Sequence, residues 1–189
     1  MLGMRYAHSA RPNAARSKHL QLREETDQED ETPLRILVIG VGNPLLGDDG
    51  VGNYVAKLVK ERMPQGLNVD IKEVSASGIE LVEEIMGYDK AIIVDAVATN
   101  GTVGAIRRLK PEQLKNTVHF TAPHFLNFAS ALEFGKNFAA ASMPKRVKIY
   151  GVGIRPRTEF SEYLSPKVGK AAELIAEEII EDLVKAKAR

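Results

Sequence analysis

The chain contains no cysteine, so a disulfide framework, a thiolate zinc site, an iron–sulfur cluster and a cysteine nucleophile cannot be built from it alone. Any metal must then be held by His, Asp, Glu or backbone oxygen, and only four histidines occur: His8, His19, His119 and His124. An excess of charge is also missing. Lys and Arg total 26 against 25 Asp and Glu, a net +1, which leaves no electrostatic footprint for nucleic acid or an anionic membrane. No apolar run approaches the length of about 18 residues that a membrane helix needs, and no signal-peptide core is present. The expectation is a soluble cytoplasmic protein with no nucleic-acid partner and no membrane insertion.

What is present suffices for one domain: 189 residues, 44% of them hydrophobic, can fill a real core. The first 33 residues differ from the rest. Five basic residues and no acid precede Glu24, after which Glu24, Glu25, Asp27, Glu29, Asp30 and Glu31 crowd together before Pro33. Without apolar periodicity this stretch cannot offset its ordering entropy, so residues 1–33 read as a disordered or loosely attached extension and residues 34–189 as the domain. The Arg-rich start resembles a transit peptide, but translated sequence ahead of a later start would look the same.

From Arg35 short apolar runs alternate with helical periods. Strands are expected over 36–39, 68–74, 91–95, 102–109 and 147–152, the fourth of them an edge candidate. Helices are expected from Val51 to before Pro64, from Ile79 to Met86, from Pro123 to Lys136, and after Ser165-Pro166, where Val168, Ala172, Ile175, Ile179 and Leu183 share one face. Ala91-Ile-Ile-Val is continuously apolar, as in a strand covered on both faces. The pattern predicts an α/β fold in three layers, with a twisted, mostly parallel sheet between helices. In such sheets ligands bind beyond the carboxyl ends of the strands.

The first strand leads into Gly40-Val-Gly-Asn-Pro-Leu-Leu-Gly-Asp-Asp-Gly-Val-Gly52, with five glycines. A dinucleotide fingerprint is the first candidate, and Glu73 even lies where a ribose-binding acid would be wanted. The third glycine is missing, however, since Leu45 stands there. Asp48 and Asp49 would also oppose a pyrophosphate at the helix N-terminus. A P-loop fails because no Gly-Lys-Ser/Thr follows. Other hydrolytic signatures are absent too: H-E-x-x-H, G-x-S-x-G, and the Asp-Thr-Gly or Asp-Ser-Gly of pepsin-like dyads.

Taken singly, Asp49 is explained as a helix-start acid, Asp95 as a turn residue after a buried strand and His124 as an ordinary imidazole at a helix start. Together they change the reading. In a parallel sheet Asp49, Asp95 and His124 converge on one crevice, and two carboxylates with one imidazole suit Ni, Zn, Mn or Fe(II) with open positions. His119, with Pro123 between it and His124, cannot share a helical face with it; His8 and His19 fall in the extension.

The stretch from Ile36 to Gly52 resembles the opening motif of the [NiFe]-hydrogenase maturation endopeptidases. The resemblance continues through Ile93-Val-Asp-Ala96, Pro123-His124 and Gly151-Val-Gly-Ile-Arg-Pro156, and covers essentially all of residues 34–189. It implies a metal-dependent, aspartate-type endopeptidase that removes the C-terminal peptide of a hydrogenase large-subunit precursor after nickel insertion. Asp49, Asp95 and His124 match the family's metal-contacting positions, with Asp49 and Asp95 the catalytic acids. Nickel is expected to arrive with the substrate, although the free enzyme is open to another divalent metal, and accessory maturation proteins are further candidate partners. Gly42, Asn43 and Asp48 are substrate-binding candidates, the glycine loop letting an extended tail approach the backbone. One departure is Val103-Gly104, where a Pro-Gly pair is common. Two alternatives stand beside this reading: a noncatalytic nickel-centre recognition protein or chaperone, and a nucleotide-binding doubly wound enzyme.

Overall fold

The computed structural model describes residues 34–114, 128–156 and 159–187. The extension before Leu34 lies outside them, and so does residue range 115–127, which contains His119 and His124. Five strands form one sheet: β1 (Ile36–Val41), β2 (Val69–Val74), β3 (Lys90–Ala98), β4 (Ile106–Leu109) and β5 (Arg146–Ile154), in the order β2-β1-β3-β5-β4. All neighbours pair in parallel except β4, which runs antiparallel to β5 at the edge.

The layers follow from strand periodicity. Alternate β-carbons point to opposite faces, and both faces of the central strands are covered. On one side Val38, Ile92, Val94, Tyr150 and Val152 pack under α1 (Val51–Arg62) and α5 (Pro166–Lys187). On the other, Leu37, Ile39, Ile93 and Ile149 pack under α2 (Gly78–Ile85) and α4 (Phe128–Phe138). The short α3 (Pro111–Leu114) follows β4. Each large aliphatic side chain removed from water in these layers contributes roughly 1.5–3 kcal/mol. The three-layer, mostly parallel α/β domain expected from the pattern is the fold observed.

Several boundaries differ from expectation, two of them by enough to need a reason. The strand expected over 102–109 begins only at Ile106: Ala105 N–H bonds back to Thr102 C=O at 3.2 Å, and Gly104 adopts φ 82°, which closes a turn and cannot continue a strand. β3 runs to Ala98 instead of ending at Asp95, because its pairing with β5 continues from Asp95↔Gly151 to Ala98↔Ile154. Its pairing with β1 ends at Gly40↔Val94. The helix expected from Pro123 is described from Phe128 and extends to Phe138; its expected start lies outside the described residues.

Candidate active site

The chain leaves β1 for β2 on one side and then crosses to β3 on the other, so the order of strands reverses between β1 and β3. A crevice opens beyond the strand ends at such a reversal. Asp95 is the first residue of β3 past its ladder with β1. It alternates with Val94 and Ala96, so its side chain lies on the face covered by α2 and α4, with Ile93 and Val97.

Asp95 is fully buried, with 0% of its surface accessible. Oδ1 accepts the Ala96 N–H at 2.7 Å, whereas Oδ2 has no hydrogen-bond partner among the described residues. Burial pushes its carboxyl well above the ordinary carboxylate range; the Ala96 N–H pulls the other way, and the negative charge of Asp49 adds to the upward shift. An ionised carboxylate in that position needs a cation or donor that the described residues around it do not supply.

Asp49 sits in a single turn of 3-10 helix, Gly47–Gly50, immediately before α1. Its Oδ2 accepts the Asn43 N–H at 3.0 Å, and Asn43 Oδ1 in turn accepts the Leu45 N–H at 3.0 Å. These two bonds make the loop between β1 and α1 a closed, ordered unit. Asp48 turns elsewhere: its carboxylate receives the Ser165 N–H at 2.6 Å and the Ser165 hydroxyl at 2.9 Å. Ser165, read from sequence as the cap of the last helix, thus ties the start of α5 to the loop.

The glycines serve this closure. A β-carbon at Gly42 would run into the Asp49 carbonyl oxygen, and one at Gly40 into the Gly52 carbonyl. At these two positions the loop's own backbone stands where a side chain would otherwise be. Gly42 contributes its carbonyl to Ser75, whose hydroxyl donates to it at 2.9 Å.

One buried residue escaped the sequence reading. Asn53, on the first turn of α1, is 7% exposed, and its Oδ1 is the other buried side-chain oxygen without a partner among the described residues. A β-carbon at Gly42 would stand 3.4 Å from that oxygen. The signal was available: a lone amide among Val51, Val55 and Ala56 on the buried face of a helix.

The sequence of residues 53–182 matches the HycI model of the hydrogenase maturation proteases. The chain belongs to this family. The matched range includes Asp95 and begins just after the loop that carries Asp48 and Asp49. Among similar hydrogenase maturation proteases, the hydrogenase 2 enzyme of Escherichia coli K12 is 30% identical over 141 residues, spanning 72% of this chain and 79% of that protein. The solved structure of the maturating endopeptidase HybD from E. coli superposes with a TM-score of 0.62 at 26% identity, covering 81% of this chain and 94% of that one. That of the [NiFe]-hydrogenase maturation protease HycI from Thermococcus kodakarensis KOD1 gives 0.62 at 25% identity, with the same 81% and 94% coverage. As a member of the hydrogenase maturation proteases, the chain is a hydrolase acting on peptide bonds. Among the described residues no group of three His, Asp or Glu side chains is arranged to hold a metal ion, and all four histidines lie outside those residues. No helix among them is long and apolar enough to cross a membrane.

Proposed function

We propose that the protein removes the C-terminal peptide of a [NiFe]-hydrogenase large-subunit precursor once nickel has been inserted, and that Asp49, Asp95 and His124 engage that nickel. The observation carrying this reading is Asp95 Oδ2, a fully buried carboxylate oxygen with no partner among the described residues, on a group whose upward shift the charge of Asp49 adds to. Hard oxygen donors of this kind, completed by one imidazole, suit a divalent cation. The sequence around His124 supports its inclusion: it precedes α4, whose Phe128 and Leu132 pack on the same sheet face as Asp95.

The nickel belongs to the substrate, so the site reads its cargo and does not need a metal of its own. Its arrival stabilises the ionised form of Asp95, against the upward shift imposed by burial. With the metal engaged, the scissile bond is brought beside a water. One of the two carboxylates takes a proton as that water attacks the scissile carbonyl, and the leaving amine is protonated as the C–N bond breaks. Asn43 and the loop backbone are the candidates for contact with the substrate tail. Asp48, engaged with Ser165, acts by holding the loop. Membership of the hydrogenase maturation proteases supports a cytoplasmic protein meeting its precursor there, with accessory maturation proteins as further partners.

The test is incubation with nickel-loaded and nickel-free precursor, followed by intact mass measurement. Shortening of the loaded form alone is expected. Asp95→Asn should fold and fail to shorten it, and normal cleavage by that variant would remove the assigned site.

A further inference from the structure

The segment between β5 and α5 is fastened to the active-site loop at three points. Gly47 N–H donates to Ser161 C=O at 2.6 Å, and Ser161 N–H donates to Leu45 C=O at 3.0 Å, forming a parallel bridge between Leu46 and Ser161. Asp48 holds Ser165 by the two bonds described above. Leu164 packs against the core layer beneath α1 and α5. Inside the segment, Ser161 Oγ bonds the Tyr163 C=O and receives the Tyr163 N–H, both at 3.2 Å. This is a braced turn, not a loose connection.

The braced turn nevertheless leaves its aromatic side chains in water. Phe160 is 85% exposed and Tyr163 83%, the two highest values among the large hydrophobic residues described, and Leu45 on the partner strand of the bridge is 49% exposed. The parallel register sets Leu45 beside Phe160. Single exposed apolar residues are ordinary, but apolar side chains gathered on a rigid support mark a contact surface, and aromatic residues dominate such contacts. The position of this surface indicates its occupant. Leu45 belongs to the same closed loop as Asp49, and that loop is bonded to the segment carrying Phe160 and Tyr163, which favours the peptide that Asp49 would meet.

We propose that Phe160, Tyr163 and Leu45 form the specificity rim of the protease, gripping an apolar side chain of the extended substrate tail next to the bond that is cut. An extended peptide turns alternate side chains to the same side, so one or two apolar residues of the tail reach the rim while the backbone passes Asn43. The assignment rests on the endopeptidase reading above and adds to it the residues that choose the peptide. Asp48 and Ser165 are positioning residues, since they keep the rim in register with Asp49 without touching the tail.

The experiment measures cleavage of a nickel-loaded large-subunit precursor by the wild-type protein, Phe160→Ala, Tyr163→Ala and the double variant. The substrate is used with its native tail and with the apolar residues flanking the cut changed to serine. Wild type should prefer the native tail by about tenfold in kcat/KM, the scale of a single apolar pocket contact. The double variant should lose that preference through a rise in KM with kcat little changed, and Phe160→Leu with Tyr163→Phe should restore it. Because both side chains lie in solvent, thermal unfolding of the variants should match wild type. If wild type cleaves but the double variant keeps the tail preference and the KM, the rim assignment is overturned while the endopeptidase reading stands. If wild type does not cleave the loaded precursor at all, the endopeptidase reading fails first. A concentration-dependent dimer in sedimentation that the double variant abolishes would give the surface to a second copy of the chain and would also overturn the assignment.

Discussion

Gly52 lies directly against Val94, the residue before Asp95: a β-carbon on Gly52 would run into the Val94 carbonyl oxygen, and equally into that of Val41. The first turn of α1 thus rests on the backbones of β1 and β3, and this contact sets the distance between the Asp49 loop and Asp95. Gly52→Ala should force the helix off the sheet at a cost of about 3 kcal/mol, the upper end of ordinary overpacking. Urea unfolding measures the cost. Cleavage should fall by more than stability alone explains, because the two aspartates move apart.

Asp95 carries a stability consequence of its own. Its carboxyl is pushed up by burial, with a further push from Asp49, so the folded protein binds a proton more tightly there than the unfolded chain does. The contribution of this group is fully favourable below the unfolded value of about 4 and is lost as pH rises through the higher folded value. Asp95→Asn removes the charge and keeps the shape. It should melt above wild type at pH 8, and the difference should shrink toward pH 4. A variant that melts lower than wild type at pH 8 would contradict the buried, unpartnered placement.

Glu178 behaves in the opposite sense. It accepts hydrogen bonds from Arg108, Tyr150 and Lys148, and these partners, Arg108 first, bring its carboxyl down to about 2. Its contribution is present above the unfolded value near 4.5 and is lost as pH falls toward 2. Glu178→Ala removes the acceptor of the Tyr150 hydroxyl beneath α5 and leaves that group with Lys148 alone. The expected loss is about 2 kcal/mol at pH 7, allowing for screening around a carboxylate that is 28% exposed. Chemical denaturation at pH 7 and pH 3 should show that loss reduced at the lower pH.

Asn53 offers a test of what the unpartnered amide oxygen is for. Asn53→Leu replaces it with an apolar group of similar size. Relief of a buried, unpaired acceptor should raise stability by about 1 kcal/mol, read from denaturant unfolding. If stability rises while cleavage falls, the amide is kept for the reaction.

The fold was legible where burial was extreme. Ile36–Ile39 and Ala91–Val94 are apolar at every position because both faces of β1 and β3 are covered, and that pattern marks a central parallel strand without reference to anything else. Register was not legible. Nothing in the letters around Asp95 says that β5 pairs farther along β3 than β1 does, so the strand end was placed at the aspartate. Gly104 hid its turn for a similar reason, since a glycine within an apolar run is compatible with either state until its φ is known. The three candidate ligands stood out as chemistry; the structure places Asp49 in the turn after β1 and Asp95 on β3 just past its ladder with β1, and His124 lies outside the described residues. The roles of the loop residues were the least readable. The glycines make room for the loop's own carbonyls, and the partner of Asp48, Ser165, is 117 residues away, a separation that no local pattern encodes.

Metal engagement through His124 also requires a neutral imidazole and ionised carboxylates. Cleavage should therefore weaken below about pH 6, near the reference value for histidine. A flat rate from pH 5 to 8 would count against His124 as a ligand.

The most direct measurement of the central claim is intact mass spectrometry of a large-subunit precursor, nickel-loaded or nickel-free, after incubation with the wild-type protein and with Asp95→Asn. The account predicts one C-terminal truncation, seen only for the loaded precursor and only with wild type. Truncation of the nickel-free precursor, or truncation by Asp95→Asn at the wild-type rate, would contradict it.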